Sequence, residues 1–326
     1  MNPAPAQHQP VSRRSFLHAA TATSAAVCLG AASARAAAAL AAPLTIIDTH
    51  THFYDPARPK GVPWPGKGDA VLYRTMLPKD YRAQPVPQPV TGTVVVEASP
   101  LLEDNQWILD LAANDPFIVG FVGHLNPGTP EFAGHLKRFA ANPLFRGIRI
   151  GQGVLEKGLA QPAFLEDLRR LIHHDLELDV NGGPTLLPLA ARLAAALPAL
   201  RIVINHNANV KIDGQAPPAA WREGMLAAAA HAKVFCKVSA LVEGTGRSDG
   251  TAPRTVEFYR PVLDTVWEAF GEDRLIYGSD WPVSERFASL ATVQAIVTEY
   301  FTAKGNRAAE KFFSKNALAA YKWVKR

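Results

Sequence analysis

Ile46-Ile47-Asp48-Thr49-His50-Thr51-His52-Phe53 is the stretch on which the fold is decided. A β-branched run, Leu44–Asp48, leads straight into two histidines separated by one residue. In an extended chain residues i and i+2 face the same way, so His50 and His52 can point into one cavity. Two imidazoles at that spacing can grip one metal ion or one substrate oxygen. The pair gains weight if the fold gathers its strand ends around a common centre.

Seven further strand patterns follow: Thr93–Glu97, Phe117–Gly123, Phe145–Ile150, Leu176–Asn181, Arg201–Asn205, Val234–Ser239 and Arg274–Gly278. Amphipathic or alanine-rich stretches lie between them, including Phe164–His173, Leu186–Leu197 and Val262–Phe270. Eight strands alternating with helices predict an α/β protein of the (β/α)₈ barrel type, a TIM barrel. A doubly wound open sheet would need a glycine-rich phosphate turn after an early strand. The nearest candidate, Gly182-Gly183-Pro184, has a proline and lacks the third glycine. Two segments exceed simple connections. Residues 55–91 hold eight prolines with Trp64, Tyr73 and Tyr81, and residues 240–261 carry Glu243, Arg247 and Arg254. Long loops after barrel strands shape substrate pockets, so both are lid candidates; decoration or a contact between copies is the other reading.

The remaining chemistry also sits at strand ends. Ile202-Val203-Ile204-Asn205-His206 supplies a third histidine, and Tyr277-Gly278-Ser279-Asp280-Trp281-Pro282 a carboxylate. Three histidines and an aspartate at one barrel face describe a mononuclear metal site or an electrophilic cradle with a general base. Glu97, at the end of the second strand, is a further metal ligand or a charge partner. Arg149 is placed to bind a substrate carboxylate in a bidentate way or to form an ion pair within the barrel. Lys237 and Ser239 alternate inward along the seventh strand, as substrate contacts or as ion pairs within the barrel. Asp179 and Asn181 are weaker candidates of the same type.

These motifs carry a resemblance. Asp48-Thr49-His50-Thr51-His52-Phe53, Phe145-Arg146-Gly147-Ile148-Arg149, Lys237-Val238-Ser239 and Tyr277 to Pro282 resemble the amidohydrolase-2 family over about Leu44 to Asn316. Within it the likeness is to the lactonase branch, which includes pyrone-dicarboxylate and sugar-lactone hydrolases. The resemblance implies that Asp280 acts as general base on water. It implies that His50, His52 and His206 polarise the carbonyl, directly or through one divalent ion held with Asp280, zinc before others. Trp281 would adjoin the substrate. Asn205 departs from the aspartate that many relatives carry before this histidine. The fourth strand offers no lysine to bridge two metals, so one metal or none is implied. A lactone-opening hydrolase leads; a zinc-dependent decarboxylase of a sister branch and a non-catalytic periplasmic binding protein are the rivals.

Composition agrees with such a domain. Of 326 residues 48% are apolar, enough for a large core, and no run is long and apolar enough for a multi-spanning membrane protein. Ser12-Arg13-Arg14-Ser15-Phe16-Leu17, a mildly apolar stretch and Ala34-Arg35-Ala36 read as a twin-arginine export signal over residues 1–36. That implies the export machinery as a partner, a periplasmic location and a mature barrel over 37–326. Cys28 leaves with the signal, and Cys236 is a core thiol that has no partner for a disulfide. Arg13, Arg14 and Arg35 are three of the 34 basic residues, so the net charge of +5 falls to near balance and no nucleic-acid partner is expected. A small-molecule substrate is expected, an anionic one included, and self-association stays open.

Overall fold

The computed structural model describes Met1 and residues 44–326. The export signal expected over residues 1–36 lies outside the described residues, apart from Met1. Eight parallel strands follow one another in sequence order: β1 (Ile47–Thr51), β2 (Gly92–Val96), β3 (Ile118–Gly123), β4 (Phe145–Gly151), β5 (Glu177–Asn181), β6 (Arg201–Ile204), β7 (Val234–Val238) and β8 (Leu275–Tyr277). The ring closes at the β8–β1 seam. There Thr51 pairs with Trp281, the His52 amide donates to the Trp281 carbonyl at 2.9 Å, and the Thr49 hydroxyl donates to the Tyr277 carbonyl at 2.6 Å. This is the (β/α)₈ barrel that the strand spacing predicts.

Helices cover the outside by burying one stripe each. Along Pro162–His173 the stripe is Phe164, Leu168 and Leu171, spaced four and three residues apart and each at most 1% exposed. Each such side chain contributes about 1.5–3 kcal/mol by leaving water. One helix departs from its expected start. The amphipathic stretch begins at Val262, whereas the helix runs Val256–Phe270 with Pro261 inside it. The loop after β7 is correspondingly shorter than 240–261.

The first strand also shifts. Polar residues after Ile47 suggested an end at Asp48, yet β1 continues to Thr51. Its polar side chains are satisfied inside the protein: Asp48 Oδ2 accepts from the Tyr81 hydroxyl at 2.7 Å, and the Thr51 and Thr93 hydroxyls share a bond of 2.7 Å. Partnered polar groups can be buried, so polarity did not mark the strand's end.

The chain's C-terminus plugs the N-terminal mouth of the barrel. Arg146 and Arg201, at the starts of β4 and β6, donate through Nε to the Tyr321 and Ala320 carbonyls at 2.9 and 2.7 Å. Val324 N donates to the Val119 carbonyl at 2.8 Å. From this plug a polar column rises along the interior. The Tyr321 hydroxyl donates to Asp179 Oδ1 at 2.8 Å, Lys237 Nζ donates to Asp179 Oδ2 at 2.8 Å, and Nζ lies 3.2 Å from His50 Nδ1. All four residues are fully buried.

Glu177 stands beside this column with both carboxyl oxygens buried and unpartnered among the described residues. Gly147 makes room for it, since a Cβ there would sit 2.1 Å from Glu177 Oε1. Burial, with the Asp179 carboxylate adjacent, pushes the Glu177 carboxyl well above its ordinary value, which favours its neutral form. A raised carboxyl pKa gives stability that is complete below the unfolded value and is lost as pH rises toward the folded one. Glu177→Gln removes that proton requirement. Between pH 5 and 8 wild-type stability should therefore fall relative to the variant, by at most about 1.4 kcal/mol per pH unit. Thermal melts of both proteins across that range check it; parallel curves would count against a neutral Glu177.

Candidate active site

The C-terminal ends of β1, β4, β6 and β8 meet at a cavity of about 250 Å³ lined by His52, Trp64, Ala98, Arg149, His206, Asp280 and Val283. Asp48 ties two of those ends together. Its Oδ1 accepts from the amides of Ser279 at 2.9 Å and His50 at 3.1 Å, so the histidine pair and the Asp280 turn share one anchor. Gly278 allows the close approach, because a Cβ there would lie 2.8 Å from that of His50.

Asp280 has a left-handed backbone (φ +58°) and lines the cavity. Oδ1 lies 3.3 Å from His52 Nε2 and 3.5 Å from His50 Nε2. Burial works to raise its pKa, but His206, His52 and Arg149 outweigh burial and hold it below the ordinary carboxylate value. The group is thus an anion, as a general base must be.

Each imidazole is oriented by a specific neighbour. His52 Nδ1 donates to the Val96 carbonyl at 2.9 Å, which leaves Nε2 facing Asp280. His206 Nδ1 lies 2.9 Å from the Ser239 hydroxyl. That contact answers the question raised by Asn205, whose amide is buried and unpartnered among the described residues: Ser239, and not residue 205, positions this ring. Burial lowers the His206 pKa to about 4, so it is neutral near pH 7. His50 is lowered well below its usual value by burial and by the Lys237 charge.

His206 opens a left-handed turn, with φ between +46° and +56° from His206 to Asn209. Such a conformation costs roughly 1–2 kcal/mol per residue for residues other than glycine, somewhat less for asparagine. The turn is clamped accordingly. Trp221 Nε1 donates to the Asn207 carbonyl at 2.8 Å, and Asn209 Nδ2 donates to the Gly182 carbonyl at 2.9 Å. The strain sits where a site residue must be aimed.

The donor set fits one cation. His50 Nε2 and Asp280 Oδ1 are buried and unpartnered among the described residues. His52 Nε2 and Asp280 Oδ1 are electron-rich atoms in close approach, an arrangement that calls for a shared proton or a cation. His50, His206 and Asp280 offer ligand atoms within 4.8 Å of one another and could hold one divalent ion. Lys237 sets a condition on this. An ammonium has no lone pair, so His50 Nδ1 accepts and the neutral ring carries its hydrogen on Nε2. Ligation by His50 therefore requires the Lys237–His50 pair to release one proton.

Other expected residues lie elsewhere. Glu97 is engaged by Arg149, whose Nε donates to Oε1 at 2.8 Å and whose Nη2 donates to the Glu97 carbonyl at 2.8 Å. It is a charge partner and stands outside the cation group. Lys237 lies beneath His50, bound to Asp179, and does not line the cavity. Trp281 is fully buried and donates through Nε1 to Glu285 at 2.8 Å. Ser239 serves His206. Lys237, Ser239 and Trp281 are not among the residues that line this cavity. Asn181 is held through Oδ1 by Asn209 Nδ2 at 3.1 Å.

Glu243 lies in the loop after β7. Both its oxygens are buried and unpartnered among the described residues. Burial and the nearby Asp280 charge push its carboxyl well above the ordinary range. Trp64, from loop 55–91, packs edge-on to His52 with ring centres 5.8 Å apart. That loop is fastened by Arg58 to Asp104 at 3.0 Å, by Arg74 to Glu285 at 2.6 Å, and by Asp69 to Arg286.

Comparison with known proteins agrees with this architecture. A family model described as Amidohydrolase matches residues 47–323. An L-fucono-1,5-lactonase from Burkholderia ambifaria is 34% identical over 245 residues, 73% of this chain and 80% of that protein. A second L-fucono-1,5-lactonase, from Burkholderia multivorans, is 28% identical over 264 residues, 78% of this chain and 88% of its own length. A crystal structure of an amidohydrolase from Burkholderia multivorans with bound zinc superposes with a TM-score of 0.73 at 25% identity, covering 86% of this chain and 99% of that one.

Proposed function

The chain belongs to the amidohydrolase family, and we propose that it opens a lactone by attack of water on the ring carbonyl. The observation that carries the proposal is an anionic Asp280 at a small cavity it shares with neutral His206 and with Arg149. Likeness to two lactonases supports the same reading.

Asp280 takes a proton from water as the water oxygen bonds to the carbonyl carbon. The carbonyl oxygen gathers the charge and meets Arg149 on the cavity wall and, where no cation is held there, His206 Nε2–H, available when Ser239 donates to Nδ1. The ring carbon–oxygen bond then breaks, and protonated Asp280 returns its proton to the departing ring oxygen. The product is a hydroxy acid, which ionises and releases one proton to solution. A divalent cation held by His50, His206 and Asp280 would polarise the carbonyl and lower the pKa of bound water. Zinc is our choice for that ion. The Ser12-Arg13-Arg14-Ser15-Phe16-Leu17 motif supports our proposal that the chain is exported by the twin-arginine route and works in the periplasm.

Acid release from a panel of lactones, followed with a pH indicator in weak buffer, tests the function. At least one aldonolactone should release acid in proportion to enzyme. Carbon dioxide release from aromatic acids, with every lactone left intact, would favour a decarboxylase.

A further inference from the structure

The connection between β1 and β2 is far longer than a crossover needs, and it reaches the site at more than the Trp64 wall. Its short helix, Pro78–Arg82, buries Tyr81. The Tyr81 hydroxyl donates to Asp48 Oδ2 at 2.7 Å, while Asp48 Oδ1 takes the His50 and Ser279 amides at 3.1 and 2.9 Å. One wholly buried carboxyl thus joins this connection to the histidine pair and to the residue before Asp280. The Tyr81 ring meets Trp281, the residue after Asp280, edge-on with ring centres 5.3 Å apart. A second arm runs through Glu285. Arg74 Nη2 donates to its Oε2 at 2.6 Å, and Trp281 Nε1 donates to its Oε1 at 2.8 Å. Asp280 itself sits at φ +58°, which a residue other than glycine keeps only where its surroundings hold it. Both of its chain neighbours are held from segment 55–91.

We propose that Tyr81 is a positioning residue for the catalytic base: through Asp48 on one side and Trp281 on the other, it fixes the Asp280 turn against the end of β1. The kinetic part of the proposal rests on the lactonase reading; the positional part does not. Tyr81 is not among the residues lining the cavity, so its hydroxyl acts on how the base is held and not on what the substrate touches. Without that hydroxyl Asp48 keeps only its two backbone donors, and the carboxyl that ties His50 to Ser279 is free to swing. A misplacement of about 1 Å in a catalytic group can cost about 100-fold in rate. Loss of one bond among several should cost less than that.

Tyr81→Phe keeps the ring against Trp281 and removes only the hydroxyl. In a variant shown by thermal melt to be folded, kcat for lactone opening should fall about tenfold while KM stays within about threefold of wild type. In the Asp280→Asn background the same change should lower kcat by less than about twofold, because no base is left to aim. Hydrogen–deuterium exchange supplies a readout that needs no substrate. Peptides covering 47–53 and 277–282 should exchange at least about fivefold faster in Tyr81→Phe, while β4 and β5, across the barrel, exchange as in wild type. Wild-type kcat in the folded variant, an equal loss in the Asp280→Asn background, or exchange that quickens uniformly around the barrel would overturn the proposal. So would failure of Tyr81→Phe to fold, which would make the hydroxyl a requirement of the fold. Absence of turnover on every lactone would refute the lactonase reading instead, and the exchange comparison would then decide alone whether Tyr81 holds the turn.

Discussion

Asp280→Asn is expected to lower kcat for lactone opening by roughly 10²–10⁴-fold while leaving KM within a few-fold of wild type. The amide keeps the shape and one acceptor oxygen, so the cavity wall is preserved. What is lost is the ability to take a proton from water and return it to the ring oxygen. His50 and His206 are aimed by Lys237 and Ser239, and burial with the Asp280 charge beside it pushes the Glu243 carboxyl above its ordinary range. Steady-state kinetics on the best substrate, with a thermal melt to show that the variant is folded, makes the comparison. Turnover within about threefold of wild type would remove Asp280 from the role of base.

The second large effect is on stability. Lys237→Met leaves the Asp179 carboxylate fully buried with only the Tyr321 hydroxyl as donor. Breaking one side of a buried pair costs about 3–5 kcal/mol, because the remaining charge is uncompensated. At about 2–4 °C per kcal/mol for a chain of this size, the melting temperature should fall by roughly 6–20 °C. Adding Asp179→Asn removes the stranded charge and should recover much of that loss. Activity should not recover with it, since His50 no longer has a donor at Nδ1 and its ring loses a fixed tautomer. Recovery of both together would make Lys237 a purely structural residue. An unchanged melt in the single variant would contradict the buried ion pair.

The barrel was legible because parallel strands buried on both faces write themselves as short apolar runs, and eight of them recur between helical patterns. Strand-end position likewise brought His50, His52, His206 and Asp280 together, because the period of two and the barrel's polarity fix where such residues point. Pairing was not legible. Nothing local says that Arg149 meets Glu97, 52 residues away, or that Lys237 meets Asp179, 58 residues away. An inward charged residue looks the same in sequence whether it faces substrate or another charge. Asp48 and Ser239 were obscured for a related reason: they act on other side chains, across strands whose register a single sequence does not state. The helix Val256–Phe270 starts before the amphipathic stretch Val262–Phe270 and carries Pro261 inside it.

Hydrolysis in water enriched in oxygen-18 tests the central claim most directly. If water attacks the lactone carbonyl, mass spectrometry of the hydroxy acid from one turnover will show a single heavy oxygen, located in the new carboxylate. One proton will appear per ring opened, with no carbon dioxide. A heavy oxygen in the hydroxyl would place the cleavage at the alkyl carbon. Carbon dioxide release with no label gained would contradict hydrolysis altogether.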